Sequence, residues 1–173
     1  VAGIEAAGAT ELTIHARTKR HGYRPPAYWD AIAEARQLLS INIIANGEIW
    51  SIDDALRCRA VTGCNDLMLG RGVLCRPDLP RLIAAATASG DSRESLHWQD
   101  ITPLLATFFE LNLQHYDALC AGNPLKQWLV YLRGYFPQAA LLFEQVKRLR
   151  NPDDIRLVLQ QSLQAETADR CAA

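Results

Sequence analysis

Several classes of protein are excluded by what the sequence lacks. It has no apolar run near the ~20 residues a membrane span needs. No basic-then-apolar leader opens it, so export is not expected. Charge of neither sign is in excess: 18 basic and 19 acidic side chains leave a net charge of −1. Residues 1–90 and 91–173 are each near balance, so neither half is a strongly basic module. The five cysteines (Cys58, Cys64, Cys75, Cys120, Cys171) are odd in number and contain no C-x-x-C. With no closely spaced His pair nearby, they read as reduced thiols of a cytoplasmic chain, and no metal site is expected. Methionine occurs once, at Met68, and Val1 to Ala7 already reads as helix interior. The chain is therefore expected to begin inside a fold.

At 49% hydrophobic and 21% charged, the 173 residues have an ordinary globular composition, neither disordered nor collagenous. The first half alternates two periodicities. Glu11–His15, Asn42–Asn46 and Asp66–Gly70 are short, largely apolar runs that read as strands of a parallel sheet. Between and after them, Tyr28–Leu39, Ser51–Val61 and Asp78–Ala88 read as helices. Ser51-x-x-Asp54 forms a weak capping box. The polar stretch SGDSRES from Ser89 marks a linker. After it no strand pattern occurs. Helices are expected over about Asp100–Leu119, Pro124–Tyr135, Pro137–Leu149 and Pro152–Leu163, with Gly122 as a C-terminal stop. Short connections between them predict a small antiparallel bundle, and the tail beyond is expected to fray.

In parallel α/β folds, chemistry sits at the C-terminal ends of the strands. Here those ends are His15-Ala-Arg-Thr-Lys19, Asn46-Gly-Glu48 and Gly70-Arg-Gly72. The two Gly-bearing turns let a ligand approach the backbone, and Arg71 offers a fork of donors matched to phosphate. Together they resemble the phosphate site of a (β/α)8 barrel, against the plainer reading of tight turns. His15 is either a pocket residue or a hydrogen-bonded core histidine. Glu48 either accepts from a cofactor or starts the next helix, and the helix-start reading is preferred. His21, His97 and His115 read as surface or capping residues. Two basic clusters, Arg17/Lys19/Arg20/Arg24 and Lys147/Arg148/Arg150, permit phosphate contacts without demanding them.

In order along the chain, His15-Ala-Arg-Thr-Lys19, Gly22-Tyr-Arg24, Trp29, Ile44-Ala-Asn-Gly-Glu-Ile49, Thr62-Gly-Cys64 and Met68-Leu-Gly-Arg-Gly72 resemble the tRNA-dihydrouridine synthases. Asn46-Gly-Glu-Ile-Trp50 and Leu125-Lys-Gln-Trp-Leu129 are most similar to the bacterial C-type branch, which acts on uridine 16 of the D-loop. The resemblance implies an FMN enzyme that uses NADPH to reduce the C5–C6 bond of a tRNA uridine. It implies α/β plus all-α architecture: the last three βα units of a (β/α)8 TIM barrel, then a helical bundle. Residues 1–89 would be the partial barrel (strands 6–8, on the FMN phosphate side), 90–97 a linker, 98–164 the helical tRNA-binding domain and 165–173 a flexible tail.

By the same resemblance, His15 lies beside flavin and uridine, while Asn46, Gly47, Glu48, Gly70 and Arg71 hold the FMN ribityl phosphate. Arg17, Lys19, Arg24, Lys126, Gln127 and Arg133 would contact RNA. Trp128 is either core or a stacking surface, and core is preferred. The family's proton-donating Cys lies in an upstream barrel loop, and none of the five cysteines matches its motif. This chain alone is therefore expected to be inactive, and the full-length protein is expected to be monomeric. Two other readings stay open: another FMN barrel oxidoreductase, or a non-catalytic RNA- or protein-binding helical module with a remnant barrel. A three-strand arc leaves open edges, so the strands are expected to fold poorly alone.

Overall fold

A computed structural model describes residues 1–88 and 94–172. The linker expected over 90–97 falls partly outside the described residues, as does Ala173 of the expected tail. The chain divides into two compact units, Val1–Arg93 and Glu94–Ala173.

The first unit opens with a short helix α1 (Ala2–Ala6), then runs β1 (Glu11–His15), α2 (Trp29–Gln37), β2 (Asn42–Asn46), α3 (Ile52–Thr62) and β3 (Asp66–Met68). The three strands pair in parallel in the order β1-β2-β3, with α2 and α3 as the crossovers. The apolar strand residues make this possible. Ile43 and Ala45 of β2 are buried with Trp29 and Ile32 of α2 and Ala55 and Cys58 of α3. α3 starts where the weak capping box lies. Ser51 Oγ accepts from Asp54 N at 3.0 Å, but the Asp54 carboxylate reaches one residue further back, to Trp50 N at 3.2 Å. Asp is one methylene shorter than Glu, and the reciprocal bond shifts accordingly.

After β3 the sequence reading missed a short helix, α4 (Arg71–Cys75), which precedes α5 (Leu79–Thr87). α4 has no side-chain cap and no acidic first turn, so it carries none of the usual start signals.

The second unit is all-helical in its described residues: α6 (Trp98–His115), α7 (Gly122–Leu132), α8 (Pro137–Val146) and α9 (Pro152–Ala172). α6 packs on α7 and α9, and α8 packs on α7 and α9. Their apolar stripes close on one core containing Ile101, Leu105, Phe109, Leu125, Leu129 and Leu132. His97 caps α6, with its backbone N–H donating to the Asp100 carboxylate at 2.9 Å. Gly122 opens α7 rather than stopping α6. It is small because a Cβ there would sit 2.7 Å from Ile155 Cδ1. α9 continues past Leu163, where the apolar pattern ends. Gln164, Ala165 and Glu166 are good helix formers, and no Gly or Pro stops them.

Candidate functional site

The pairing register brings His15, Asn46 and Met68 onto one rung across the C-terminal ends of the three strands. Residues on one rung of a parallel sheet share a face, so these side chains become neighbours although they are far apart in sequence. His15 Nδ1 lies 2.5 Å from Asn46 Oδ1, and Asn46 Nδ2 donates to the Met68 carbonyl at 2.7 Å.

Beyond Asn46 the chain turns sharply. Gly47 has φ +130°, and Glu48 follows at φ +53°. Glu48 is the only non-glycine residue with positive φ among the described residues. Such a backbone costs on the order of 1–3 kcal/mol and persists only where its surroundings hold it. Here they do. The Glu48 carboxylate forms an ion pair with Arg17, meets Arg71 Nη2 at 3.3 Å, and accepts from the Trp50 indole N–H at 3.1 Å. Burial pushes this carboxyl upward, but the hydrogen bonds from Arg17 and Trp50 and the charges of Arg17 and Arg71 outweigh it. The acid stays below the usual carboxylate range. Glu48 therefore does not start the next helix; Ser51 caps α3.

Arg17 is held below the surface, its side chain only 1% exposed. Its Nε donates to the Pro26 carbonyl at 3.3 Å, and its Nη1 is buried with no hydrogen-bond partner among the described residues. The Arg71 guanidinium lies between two rings, 4.7 Å from the centre of Tyr23 and 5.1 Å from that of Trp50. Gly72 packs against the same turn, since a Cβ there would sit 2.2 Å from the Ile49 carbonyl oxygen. Gly70 differs: among the described residues nothing lies within 4 Å of where its Cβ would be. No packing requirement explains its smallness, and the space over it belongs to the pocket.

That pocket measures about 140 Å³, and its lining includes His15, Arg17, Glu48, Trp50, Gly70 and Arg71. Ligand pockets usually begin near ~300 Å³, so this one suits one end of a larger molecule. Its charge is two guanidiniums against one carboxylate. The surplus cation and the unpaired Arg17 Nη1 suit an anion with several oxygens, such as a phosphate group.

All six residues expected to hold a cofactor, His15, Asn46, Gly47, Glu48, Gly70 and Arg71, line this pocket. Arg17, expected at the RNA, is buried and lines the same pocket. Lys19 and Arg24 are exposed on the loop after β1. In the helical unit, Lys126 Nζ donates to the Leu149 carbonyl at 2.6 Å, which spends its charge just beyond the end of α8. Burial, aided by nearby Arg150, lowers its pKa. Gln127 and Arg133 are exposed, with Arg133 lying 5.9 Å from the centre of the Phe143 ring. Trp128 is half-buried, packed against the helical core and edge-on to Phe108 at 5.1 Å.

The reading of single residues missed the roles of Tyr23 and Trp50. Both lie inside motifs that carry the resemblance, and that position was their only signal. No cysteine lines the pocket among the described residues. The Cys58 thiol is pushed up to about 11, mainly by burial, and is no nucleophile. Among the described residues no His/Cys/Asp/Glu cluster could hold a metal ion, and no helix is long and apolar enough to cross a membrane.

Comparison with known proteins adds a family to this geometry. Residues 1–166 match the dihydrouridine synthase family. A protein of Pseudomonas syringae pv. tomato named tRNA-dihydrouridine(16) synthase is 41% identical over 152 residues, covering 88% of this chain and 48% of that protein. A Pseudomonas putida protein of the same name is 39% identical over 166 residues, covering 96% and 50%. One from Escherichia coli O157:H7 is 40% identical over 158 residues, covering 91% and 48%. The chain thus spans about half the length of the curated relatives it matches.

Proposed function

The chain belongs to the dihydrouridine synthase family, and from that premise we propose that it forms the cofactor-phosphate and RNA-holding part of a tRNA-dihydrouridine synthase. The observation that carries this reading is the buried, partly unpaired Arg17 guanidinium, set beside Arg71 at the C-terminal ends of three parallel strands. The pocket fits one phosphate end of a nucleotide cofactor, and the open space over Gly70 leaves the backbone approachable.

FMN, with NADPH as reductant, would supply the hydride that saturates the C5–C6 bond of a D-loop uridine, uridine 16 in the relatives' names. Arg17 and Arg71 would draw the phosphate in, with segments 46–48 and 70–71 shaping its seat. Glu48 keeps the two guanidiniums from repelling each other apart. His15 would stand where cofactor ring and base meet. In this reading strands β1 to β3 are the last three of an eight-stranded barrel and α6–α9 are its RNA-holding bundle. Exposed Lys19, Arg24, Gln127, Arg133, Arg148 and Arg150 offer contacts to the RNA. A separate RNA-holding unit suits a reaction that must extrude a base at a cost of a few kcal/mol. The reading places the protein in the cytoplasm, as a monomer, with no metal.

Titrating the chain with FMN and with riboflavin, followed by flavin fluorescence, tests the phosphate seat. FMN should bind and riboflavin should bind at least tenfold more weakly. Arg71→Ala should erase roughly 10- to 100-fold of FMN affinity, the range for charge-assisted bonds. Equal binding of the two flavins, or an unaffected Arg71→Ala, sinks the reading. With no cysteine at the pocket among the described residues to supply a proton, the chain alone should form no dihydrouridine in tRNA. Product formation by the purified chain refutes that part.

A further inference from the structure

We infer that Asn46 is a positioning residue that fixes the tautomer of His15, with the proton on Nδ1 and the lone pair on Nε2. The inference follows from obligatory donors and acceptors. The Met68 carbonyl can only accept a hydrogen bond, so the group of Asn46 that lies 2.7 Å from it must be the amide –NH2. That assignment turns Asn46 Oδ1 toward His15. Oδ1 can only accept, so the His15 nitrogen 2.5 Å away must carry hydrogen. A neutral imidazole has a single N–H, and Nε2 is left as a bare acceptor. The ring lines the pocket, and its one hydrogen bond among the described residues is the one at Nδ1.

The tautomer is thus dictated by a backbone carbonyl two strands away. It passes through one side chain on a rung set by the strand register. Asn is suited to the middle position because it alone combines a donor and an acceptor of the right length. Asp would hold the His15 N–H but set a carboxylate oxygen against the Met68 carbonyl. The consequence for recognition is definite. With a neutral ring, the pocket at Nε2 takes an N–H or O–H group of a ligand and turns away a carbonyl oxygen. A carbonyl is accepted there only when the ring is protonated.

The assignment of a flavin or a base to that position rests on the reading above, whereas the tautomer does not, so the two fail separately. The test is long-range ¹H–¹⁵N correlation of the His15 ring in the ligand-free full chain, at a pH where the ring is neutral. The expected spectrum has Nδ1 as the protonated nitrogen, favoured about tenfold, the size one neutral hydrogen bond supports. Asn46→Ala should abolish that preference. Asn46→Asp should keep it, because an acceptor for Nδ1–H remains. An Nε2–H ring in the wild-type chain, or an unchanged Nδ1–H preference in Asn46→Ala, overturns the inference. If Asn46→Ala fails to fold, the wild-type and Asn46→Asp spectra decide alone: loss of the Nδ1–H form in either overturns it.

Discussion

The two units differ in how completely they bury their apolar residues. In the helical unit Ile101, Leu105, Phe109, Leu125, Leu129 and Leu132 are all fully buried. In the α/β unit, neither β1 nor β3 contains a buried residue, and only β2 between them is covered well. One unit is built for cohesion. The other holds its polar and charged groups at the strand ends, where Glu48 takes an unfavourable backbone angle and Arg17 is buried short of partners. Local stability and binding chemistry draw on opposite qualities, and here they lie in different parts of the chain.

The sharpest way to break this contrast is to cut equal pieces from both cores. Ile101→Ala, at a fully buried position, should destabilise the helical unit by about 2–5 kcal/mol. Ile14→Ala, from a half-covered strand, should cost less than ~2 kcal/mol by the transfer of a few methylenes. Denaturant unfolding followed by hydrogen exchange on each unit measures both, and equal costs would erase the distinction.

Next in size is the site itself. Glu48→Gln leaves two guanidiniums without their carboxylate, and should cost roughly 3 kcal/mol, the scale of a broken buried pair. The pH dependence has a definite sign. The folded pKa of Glu48 is depressed, so its contribution is present above the unfolded carboxyl value of ~4.3. It is lost as pH falls through the lower folded value. The acid limb of the α/β unit's melting should therefore flatten in Glu48→Gln. An unchanged limb would remove Glu48 from the account.

A smaller effect is expected in the helical unit, where Lys126→Met leaves the Leu149 carbonyl without its donor. The loss should be about 1.5 kcal/mol, the low end for a charged hydrogen bond. The smallest effect comes from its surface. Arg156 spans α9 to α6 through both oxygens of Glu110, at 2.8 and 3.2 Å. Both partners are well exposed, so Arg156→Gln should cost at most ~1 kcal/mol, and less in high salt. Thermal melts at two ionic strengths check it.

Much of this arrangement was legible in the residues. The β1 and β2 spans follow from Glu11–His15 and Asn42–Asn46 as read, and β3 lacks only the last two residues of its expected span. The Gly-bearing turns sit where the strand ends place them. What was not legible depends on distance through space. Arg17 lies 31 residues before Glu48 and reads, beside Lys19 and Arg20, as one more basic surface residue. Only the fold turns it inward. The contact Lys126 makes is hidden for the same reason: its partner is a carbonyl 23 residues on, and carbonyls carry no sequence signature. Gly122 looked like a helix stop because the usual reason for glycine after a helix is its backbone, whereas here the reason is the methyl of Ile155.

Trp50 gives the pocket a built-in optical signal. Its indole N–H is bonded to Glu48, and the Arg71 guanidinium rests on its ring. Anything that draws Arg71 toward an incoming anion changes the electric field on that indole and uncovers one face of it. Trp98 belongs to the helical core, Trp128 is half-buried against it, and Trp29 is buried with its N–H on the Gly47 carbonyl. A change in emission that disappears in Trp50→Phe therefore reports occupancy of the pocket without any added label.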